Sequence, residues 1–355
     1  MTAAPIIALD VMGGDAGLAD VMAAAEIASE RYPKLTFRLH GPEPRIRAEL
    51  ARCPRLSATA AIVHTDEVVL GTDKPSQAMR RGRTSSMGMA IGSVKQGAAH
   101  AAVSAGNTGA LMAMSLLTLR TMPGIDRPAL AALLPTLKND SVVLDLGANT
   151  ECTAENLVQF AVMGAAFART VLGLDRPRVA LLNIGEEELK GTGEIRDAAA
   201  LLRGTALPMR FEGFVEGDKI GQGNVDVIVA DGFSGNIALK TAEGTAKLVT
   251  GLLAKAFQSS WLTQLGYLLS RGALRALRAH LDPNAHNGAV FLGLNGIVVK
   301  SHGSANILGI ANAIGVAHDL IVGKVGDRIL QDLANFQAHR PSLPEAAVET
   351  PAAKV

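Results

Sequence analysis

The chain has 355 residues, of which 48% are hydrophobic and 19% charged, and its net charge is +1. It is long enough for one large α/β domain or two smaller ones with a substantial core. The composition excludes bulk disorder, and the near-neutral charge supplies no global field that would draw the protein to nucleic acid.

Strand-like and helix-like segments alternate along the chain. A strand at Ile6–Leu9 leads to a helix at Ala19–Glu30, a strand at Leu35–Leu39 to a helix at Glu43–Ala51, and a strand at Ala61–Val63 to a helix at Ser85–Lys95. A strand at Ala101–Val103 feeds a helix at Thr108–Leu119, and strands at Ala129–Leu134 and Val142–Leu146 precede a helix at Ala154–Val171. Strands at Val179–Ile184, Val225–Ala230 and Val290–Val299 follow, with helices at Ile195–Leu202 and Asn306–Gly315. Continuous apolar strands separated by helical patterns predict a three-layer α/β/α fold around a mostly parallel sheet. The stretch from Lys240 to Leu281 holds no strand; it reads as a helical pair broken near Gln258–Ser260 or Gly266, projecting from a single domain of residues 1–337. Residues 338–355 carry three prolines and no apolar periodicity, which predicts a disordered tail. Cys53 and Cys152 form neither a metal-ligand pair nor a disulfide framework, as expected of a reducing cytoplasm. The opening "MTAAPIIALD" lacks the basic region of a signal peptide, and no apolar stretch has the length of a transmembrane helix.

In open α/β sheets ligands bind beyond the carboxyl ends of the strands. Six such ends read "DVMGGD" (Asp10 to Asp15), "SAGNTG" (Ser104 to Gly109), "DLGANTE" (Asp145 to Glu151), "NIGEEELKGTGE" (Asn183 to Glu194), "DGFSGN" (Asp231 to Asn236) and "KSHGSAN" (Lys300 to Asn306). Each has an ordinary reading as turn and N-cap chemistry. Taken together, six small polar loops on one rim predict a shared crevice. A helix N-terminus presents unpaired N–H groups and a positive dipole end, and glycines admit a ligand close to the backbone, so the crevice suits an oxyanion; the helix opening at Thr108 is the leading site. Neither a dinucleotide-binding G-x-G-x-x-G nor a P-loop is present, nor H-E-x-x-H, C-x-x-C or G-x-S-x-G. The expected anion is therefore free phosphate or a small phosphate ester, with no metal and no organic cofactor.

Three side chains have two readings each. Lys190, the one cation in its acidic loop, is either a solvated lysine or the point charge on the phosphate, and Glu186 to Glu188 either face solvent or position it. His302 is a proton shuttle or a hydrogen-bonded structural histidine. Cys152 is a buried thiol or a nucleophile without an adjacent base.

The segments "IALDVMGGD", "VSAGNTGALMA", "LDLGAN", "LLNIGEEELKGT", "FEGFVEGDKIGQGNVDVIVADGFSGNIALKTAEGTAKLV" and "FLGLNGIVVKSHGSAN" resemble, in this order and over about residues 5 to 335, the bacterial phosphate acyltransferase family PlsX. The resemblance implies a fold similar to isocitrate and isopropylmalate dehydrogenases and to phosphate acetyltransferases. It implies transfer of a long fatty acyl group from acyl carrier protein to inorganic phosphate, giving acyl phosphate, which a PlsY-type membrane glycerol-3-phosphate acyltransferase consumes on the way to phosphatidic acid. It further implies a homodimer, cytoplasmic and loosely attached to the inner membrane face. Phosphate is anionic at pH 7 and needs positioning more than deprotonation, and a thiol of pKa about 8.5 leaves without a strong acid. A rim of amides and glycines that stabilises the oxyanion would suffice.

On that basis Ser104, Gly106, Asn107, Thr108 and Gly109 are the expected phosphate binders, with Lys190 as charge partner and Lys190, Asn107 and His302 as the catalytic set, His302 protonating the leaving thiolate. The thioester pocket is expected among Asp10, Gly13, Gly14, Asn149, Asn183, Asp231 and Asn236, with Asp10, Asp145 and Asp231 organising the turns. Lys74, Arg80, Arg81 and Arg83 are the expected docking site for the acidic carrier; a solvated helix flank is the other reading. The segment Lys240–Leu281 has six basic residues against Glu243, so it is read as dimer helices whose tip (Trp261, Leu262, Leu265, Tyr267) meets an anionic membrane. The rivals are a nicotinamide-dependent hydroxy-acid dehydrogenase of related fold and a non-catalytic membrane scaffold.

Overall fold

The computed structural model describes residues 4–70 and 82–339. Eleven strands form one mixed sheet in the order β3-β2-β1-β4-β11-β10-β5-β6-β9-β7-β8. They are β1 (Ile6–Asp10), β2 (Thr36–Gly41), β3 (Ala60–His64), β4 (Ala101–Ser104), β5 (Ala129–Leu134), β6 (Ser141–Leu144), β7 (Arg178–Leu182), β8 (Arg210–Val215), β9 (Val227–Val229), β10 (Ala289–Leu292) and β11 (Ile297–Lys300). The helices are α1 (Leu18–Arg31), α2 (Glu43–Leu50), α3 (Pro54–Thr59), α4 (Ser86–Lys95), α5 (Thr108–Leu119), α6 (Ala154–Val171), α7 (Gly193–Arg203), α8 (Gly232–Gln258), α9 (Trp261–His280), α10 (Ile307–Val322) and α11 (Val325–Ala338).

The strands alternate side chains between two separate cores, which makes the architecture three-layered. On β1, Ile7 and Leu9 enter a core closed by α1, α6, α7, α10 and α11, while Ala8 enters a second core closed by α4 and α5. Helix α6 is almost wholly buried, held at its start by a capping box between Thr153 and Asn156, because helices α7 and α11 and strand β9 cover it on several sides. The bent pair α10–α11 has the length and composition of a broken membrane span, but its apolar residues belong to the first core. Among the described residues no single helix is long and apolar enough to cross a membrane.

Several expectations are corrected. The run Val290–Val299 is two antiparallel strands, β10 and β11, joined at Gly293 (φ +89°) through Gly296; the "GLNG" turn signal lay inside an apolar stretch. Strand β8 and helices α3 and α11 were not anticipated. Strand β8 is an edge strand whose register to β7 shifts at Val179/Ala180, so its polar alternation hid it. "DGFSGN" is not a loop before a helix at Lys240: Asp231 caps α8, which runs unbroken from Gly232. Gly266 lies inside α9, and the break falls at Ser259–Ser260. Helix α11 ends at Ala338, and the rest of the expected tail, from residue 340, lies outside the described residues.

The sheet also changes sense. Pairings are parallel from β3 to β11 and from β6 to β8, but antiparallel at β11–β10, β10–β5 and β5–β6. The two parallel halves therefore run in opposite directions. The six strand-end loops form two groups of three, not one rim: those after β1, β4 and β11, and those after β6, β7 and β9.

Candidate active site

The first group is built on a row of three polar residues ending adjacent strands. The register sets Leu9 beside Val103 and Lys300 beside Ser104, so Asp10, Ser104 and Lys300 stand side by side, all buried. The Ser104 hydroxyl donates to Asp10 Oδ2 (2.7 Å) and accepts the Gly106 N–H (3.0 Å), while Asp10 Oδ1 accepts the Met12 N–H (3.2 Å). Burial raises the Asp10 pKa, and these hydrogen bonds offset part of the rise. Gly13 lies flat on this network: a Cβ there would stand 2.5 Å from Asp10 Oδ2 and 2.8 Å from the Gly106 nitrogen. Asn107 is the N-cap of α5, its Oδ1 accepting the Ala110 N–H (2.9 Å). Thr108 and Gly109, the first helical residues, are exposed, and their amides have no acceptor among the described residues.

Lys300 was not singled out as functional from the sequence. The available signal was a lysine closing the buried run Ile297–Val299. Its Nζ donates to the Ala105 carbonyl (3.2 Å) and to that of Ser301. Burial lowers its pKa to about 8 against the pull of Asp15 and Asp10. His302, two residues on, is exposed; partial burial first, then Lys300 and Lys240, push its pKa down. The Ser304 N–H donates to Nδ1 (3.3 Å), leaving the ring proton on Nε2. A neutral imidazole at pH 7 lacks the charge that would make it an efficient donor to a departing thiolate.

The second group centres on Asp145. Its fully buried carboxylate accepts the N–H groups of Leu130 (2.9 Å), Ala148 (3.0 Å) and Asn149 (2.7 Å) and the Asn149 side-chain amide (2.9 Å). Burial nonetheless raises its pKa. Asn149 also donates to Pro128 O (2.8 Å), and Asn236 to Leu146 O (2.9 Å). Asp231 accepts both the N–H and the hydroxyl of Ser234 (2.8 Å each) as the cap of α8. Asn183 donates to Gly185 O (3.0 Å) and Lys190 O (3.2 Å), closing its own loop, from which Lys190 projects exposed. The side-chain N–H groups of Asn149, Asn183 and Asn236 and the carboxylate of Asp231 are thus engaged by the scaffold, while Asn183 Oδ1 is buried without a hydrogen-bond partner among the described residues. Cys152 sits beside this group, and burial, with Asp145 and Asp231, pushes its thiol up to about 11.

Helix α8 links the groups. It starts against the Asp145 loop, and its Lys240, Glu243 and Lys247 act electrostatically on His302. Lys240 lies about 12 Å along the axis from Gly232, so the first turns of α8 lead from the Asp145 loop toward the loop that carries His302. Of the expected carrier-docking residues, Arg83 is exposed beside α4, and Lys74, Arg80 and Arg81 lie outside the described residues. Beyond these turns α8 and α9 form a hairpin, with Phe257 edge-on to Tyr267 (5.5 Å between ring centroids). No residue of α9 is buried; Trp261, Leu262, Leu265, Tyr267, Leu268 and Leu269 are all exposed.

Together these features define an α/β protein whose fold is shared with phosphotransacetylases. The fold matches a phosphotransacetylase from Streptococcus pyogenes (TM-score 0.61, 18% identity, covering 90% of this chain and 94% of that one). It also matches the EutD phosphotransacetylase from Staphylococcus aureus (TM-score 0.59, 19% identity, 89% and 94% covered). The chain belongs to the fatty acid synthesis protein family, whose model matches residues 6–328, and within it to the bacterial PlsX phosphate acyltransferases. It is 59% identical over 334 residues to the phosphate acyltransferase of Erythrobacter litoralis, covering 94% of each chain, and 58% identical over 332 residues to that of Rhodospirillum centenum, again covering 94% of each. It is an acyltransferase enzyme of fatty acid and phospholipid synthesis, which sets the dehydrogenase and scaffold alternatives aside.

Proposed function

We propose that the protein transfers a long-chain fatty acyl group from the thioester of acyl carrier protein to inorganic phosphate, giving acyl phosphate and the free carrier thiol. A phosphate oxygen attacks the thioester carbonyl, the tetrahedral adduct collapses, the C–S bond breaks, and the thiolate takes its proton from solvent. The observation that carries this reading is the open start of α5: two exposed amides, Thr108 and Gly109, without an acceptor among the described residues, above a floor where Gly13 leaves no room for a side chain. Inorganic phosphate fits that space and charge, and attack from it requires positioning alone. Amides aimed at the developing oxyanion would contribute on the order of 3 kcal/mol each. Lys190, exposed on the second group, supplies a cation to the bound anion.

The acidic carrier docks on Arg83 and the neighbouring basic stretch, which lies outside the described residues. The α8–α9 hairpin pairs with that of a second copy and rests its tip on an anionic membrane at the cytoplasmic face, where the amphiphilic product passes to a membrane glycerol-3-phosphate acyltransferase. The test incubates purified protein with long-chain acyl carrier protein, with and without phosphate. Acyl phosphate is trapped with hydroxylamine, and the released thiol is counted. Equal yields of both, strictly dependent on phosphate, are expected. Thiol release without phosphate would make the enzyme a thioesterase and end this reading.

A further inference from the structure

We propose that the buried ammonium of Lys300 is the countercharge of the phosphate held at the start of α5, reaching the anion from beneath the Ser104–Gly109 loop. This deepens the acyl-transfer reading and rests on it.

Three observations place the charge. Lys300 ends β11 in register with Ser104, the residue that opens the loop, and its Nζ lies 3.2 Å from the carbonyl of Ala105 within that loop. The side chain is 93% buried, since only 7% of its surface is exposed. It makes no ion pair: among the described residues no carboxylate oxygen lies within 4 Å, and its acceptors are two neutral carbonyls, of Ala105 and Ser301. An ammonium has three donors, so one N–H remains without an acceptor among the described residues. Burying a cation costs several kcal/mol unless an opposite charge completes it. A fold that keeps one unpaired beside the open amides of Thr108 and Gly109 has left the place of the counterion to a ligand. Gly14, Thr108 and Gly109, on the loops after β1 and β4, are all exposed, so a small dianion can approach this loop from solvent.

Among the described residues the charges facing this site are Asp10 and Asp15 from the β1 loop, His302 on its own loop, and Lys240, Glu243 and Lys247 of α8 beyond His302. With a pKa of about 8 in the unliganded protein, Lys300 is charged below that pH and loses its proton above it. A bound dianion favours the charged form. Affinity for phosphate is therefore complete below about pH 8 and declines as pH rises past it, and binding on the alkaline side takes up a proton. His302, shifted downward, has already lost its proton when this window opens, and phosphate is predominantly the dianion across it.

The experiment measures inorganic phosphate binding to the full chain by calorimetry between pH 7.5 and 9.5, in two buffers of different ionisation enthalpy, without thioester. The wild-type dissociation constant should rise several-fold across the window, with proton uptake that differs between the buffers. Lys300→Arg, a permanent cation, should bind phosphate with a flat pH profile, and Lys300→Met should bind about 10–100-fold more weakly at every pH. Binding that is intact but independent of pH in the wild type, or unweakened in Lys300→Met, overturns the assignment and leaves acyl transfer standing. The wild-type arm decides the matter if the variants do not fold. No phosphate binding at any pH would overturn acyl transfer and this assignment together.

Discussion

The carbonyl oxygen of Asp145 occupies the place where a Cβ on Gly235 would stand, so α8 meets the Asp145–Asn149 loop backbone to backbone. Gly232, one turn earlier, does the same: its Cβ would lie 2.5 Å from the Asn149 carbonyl oxygen. The two glycines of "DGFSGN" thus act through the spacing i, i+3, which puts both on the helix face that docks. Neither atom in the way belongs to a flexible side chain. Gly235→Ala should lower stability by about 1–3 kcal/mol, the cost of overpacking a close contact. Gly251→Ala, further along α8 where nothing lies within 4 Å, should raise it by about 0.5–1 kcal/mol. Urea midpoints at constant slope distinguish the two; equal effects of the same sign would mean that α8 does not seat on the loop.

Asn107 separates capping from anion binding. Asn and Asp cap helices equally well, whereas Ala forfeits about 1 kcal/mol. Asn107→Asp should therefore keep the melting temperature, yet weaken phosphate binding by tenfold or more, because its carboxylate occupies the end of the helix that favours the anion. Asn107→Ala should lose stability and bind phosphate less severely weakened than Asn107→Asp. Lys190→Ala should leave stability within about 0.5 kcal/mol, as an exposed side chain, and raise the phosphate KM. Wild-type phosphate binding in Asn107→Asp would remove α5 from the site.

These side chains show how much of the site was legible. The loops, their order and the start of α5 stand plainly in the sequence, because glycine and cap residues interrupt apolar runs at fixed places. Their division into two groups does not. It follows from strand direction, which hinges on β10 and β11 folding back within one apolar stretch. The engagement of the amide N–H groups of Asn149, Asn183 and Asn236 by backbone carbonyls was equally hidden, since an asparagine reads the same whether it closes a loop or faces a ligand. Lys300 was masked by its neighbour His302; only the register beside Ser104 shows the charge to be buried.

Cys152 has a decided role in the structure where the sequence left two. Burial first, then the charges of Asp145 and Asp231, push its thiol up to about 11. At pH 8 only about one molecule in a thousand carries the thiolate that nucleophilic attack requires. Cys152→Ala should keep kcat within about twofold, and iodoacetamide at pH 8 should leave activity intact. Alkylation should accelerate as pH approaches 11, the sign expected of a raised acid. Loss of activity in step with labelling of Cys152 at pH 8 would instead argue for a covalent acyl-enzyme.

The hairpin makes a prediction of its own because it exposes two kinds of residue, apolar and basic, on one helix. Trp261, Leu265, Leu268 and Leu269 recur at the spacing of one helical face of α9, and Arg271, Arg275 and Arg278 form a basic stripe along its border. Lys240 is paired with Glu243 at 2.9 Å, but Lys247, Lys255 and the three arginines have no ion pair within 4 Å among the described residues. Seating an apolar side chain in lipid is worth about 1.5–3 kcal/mol, and each basic residue near an anionic surface about 1 kcal/mol. Trp261→Asp and Leu265→Asp should each reduce co-sedimentation with phosphatidylglycerol vesicles by tenfold or more, while the melting temperature and acyl transfer in solution hold. Raising salt should weaken wild-type binding as the charge contribution is screened. Leu269→Asp, deeper along the apolar stripe, should act on the dimer read by sedimentation velocity. If the tip variants bound vesicles like the wild type while dissociating into monomers, the apolar tip would belong to the dimer contact and the membrane would have to be reached through another surface.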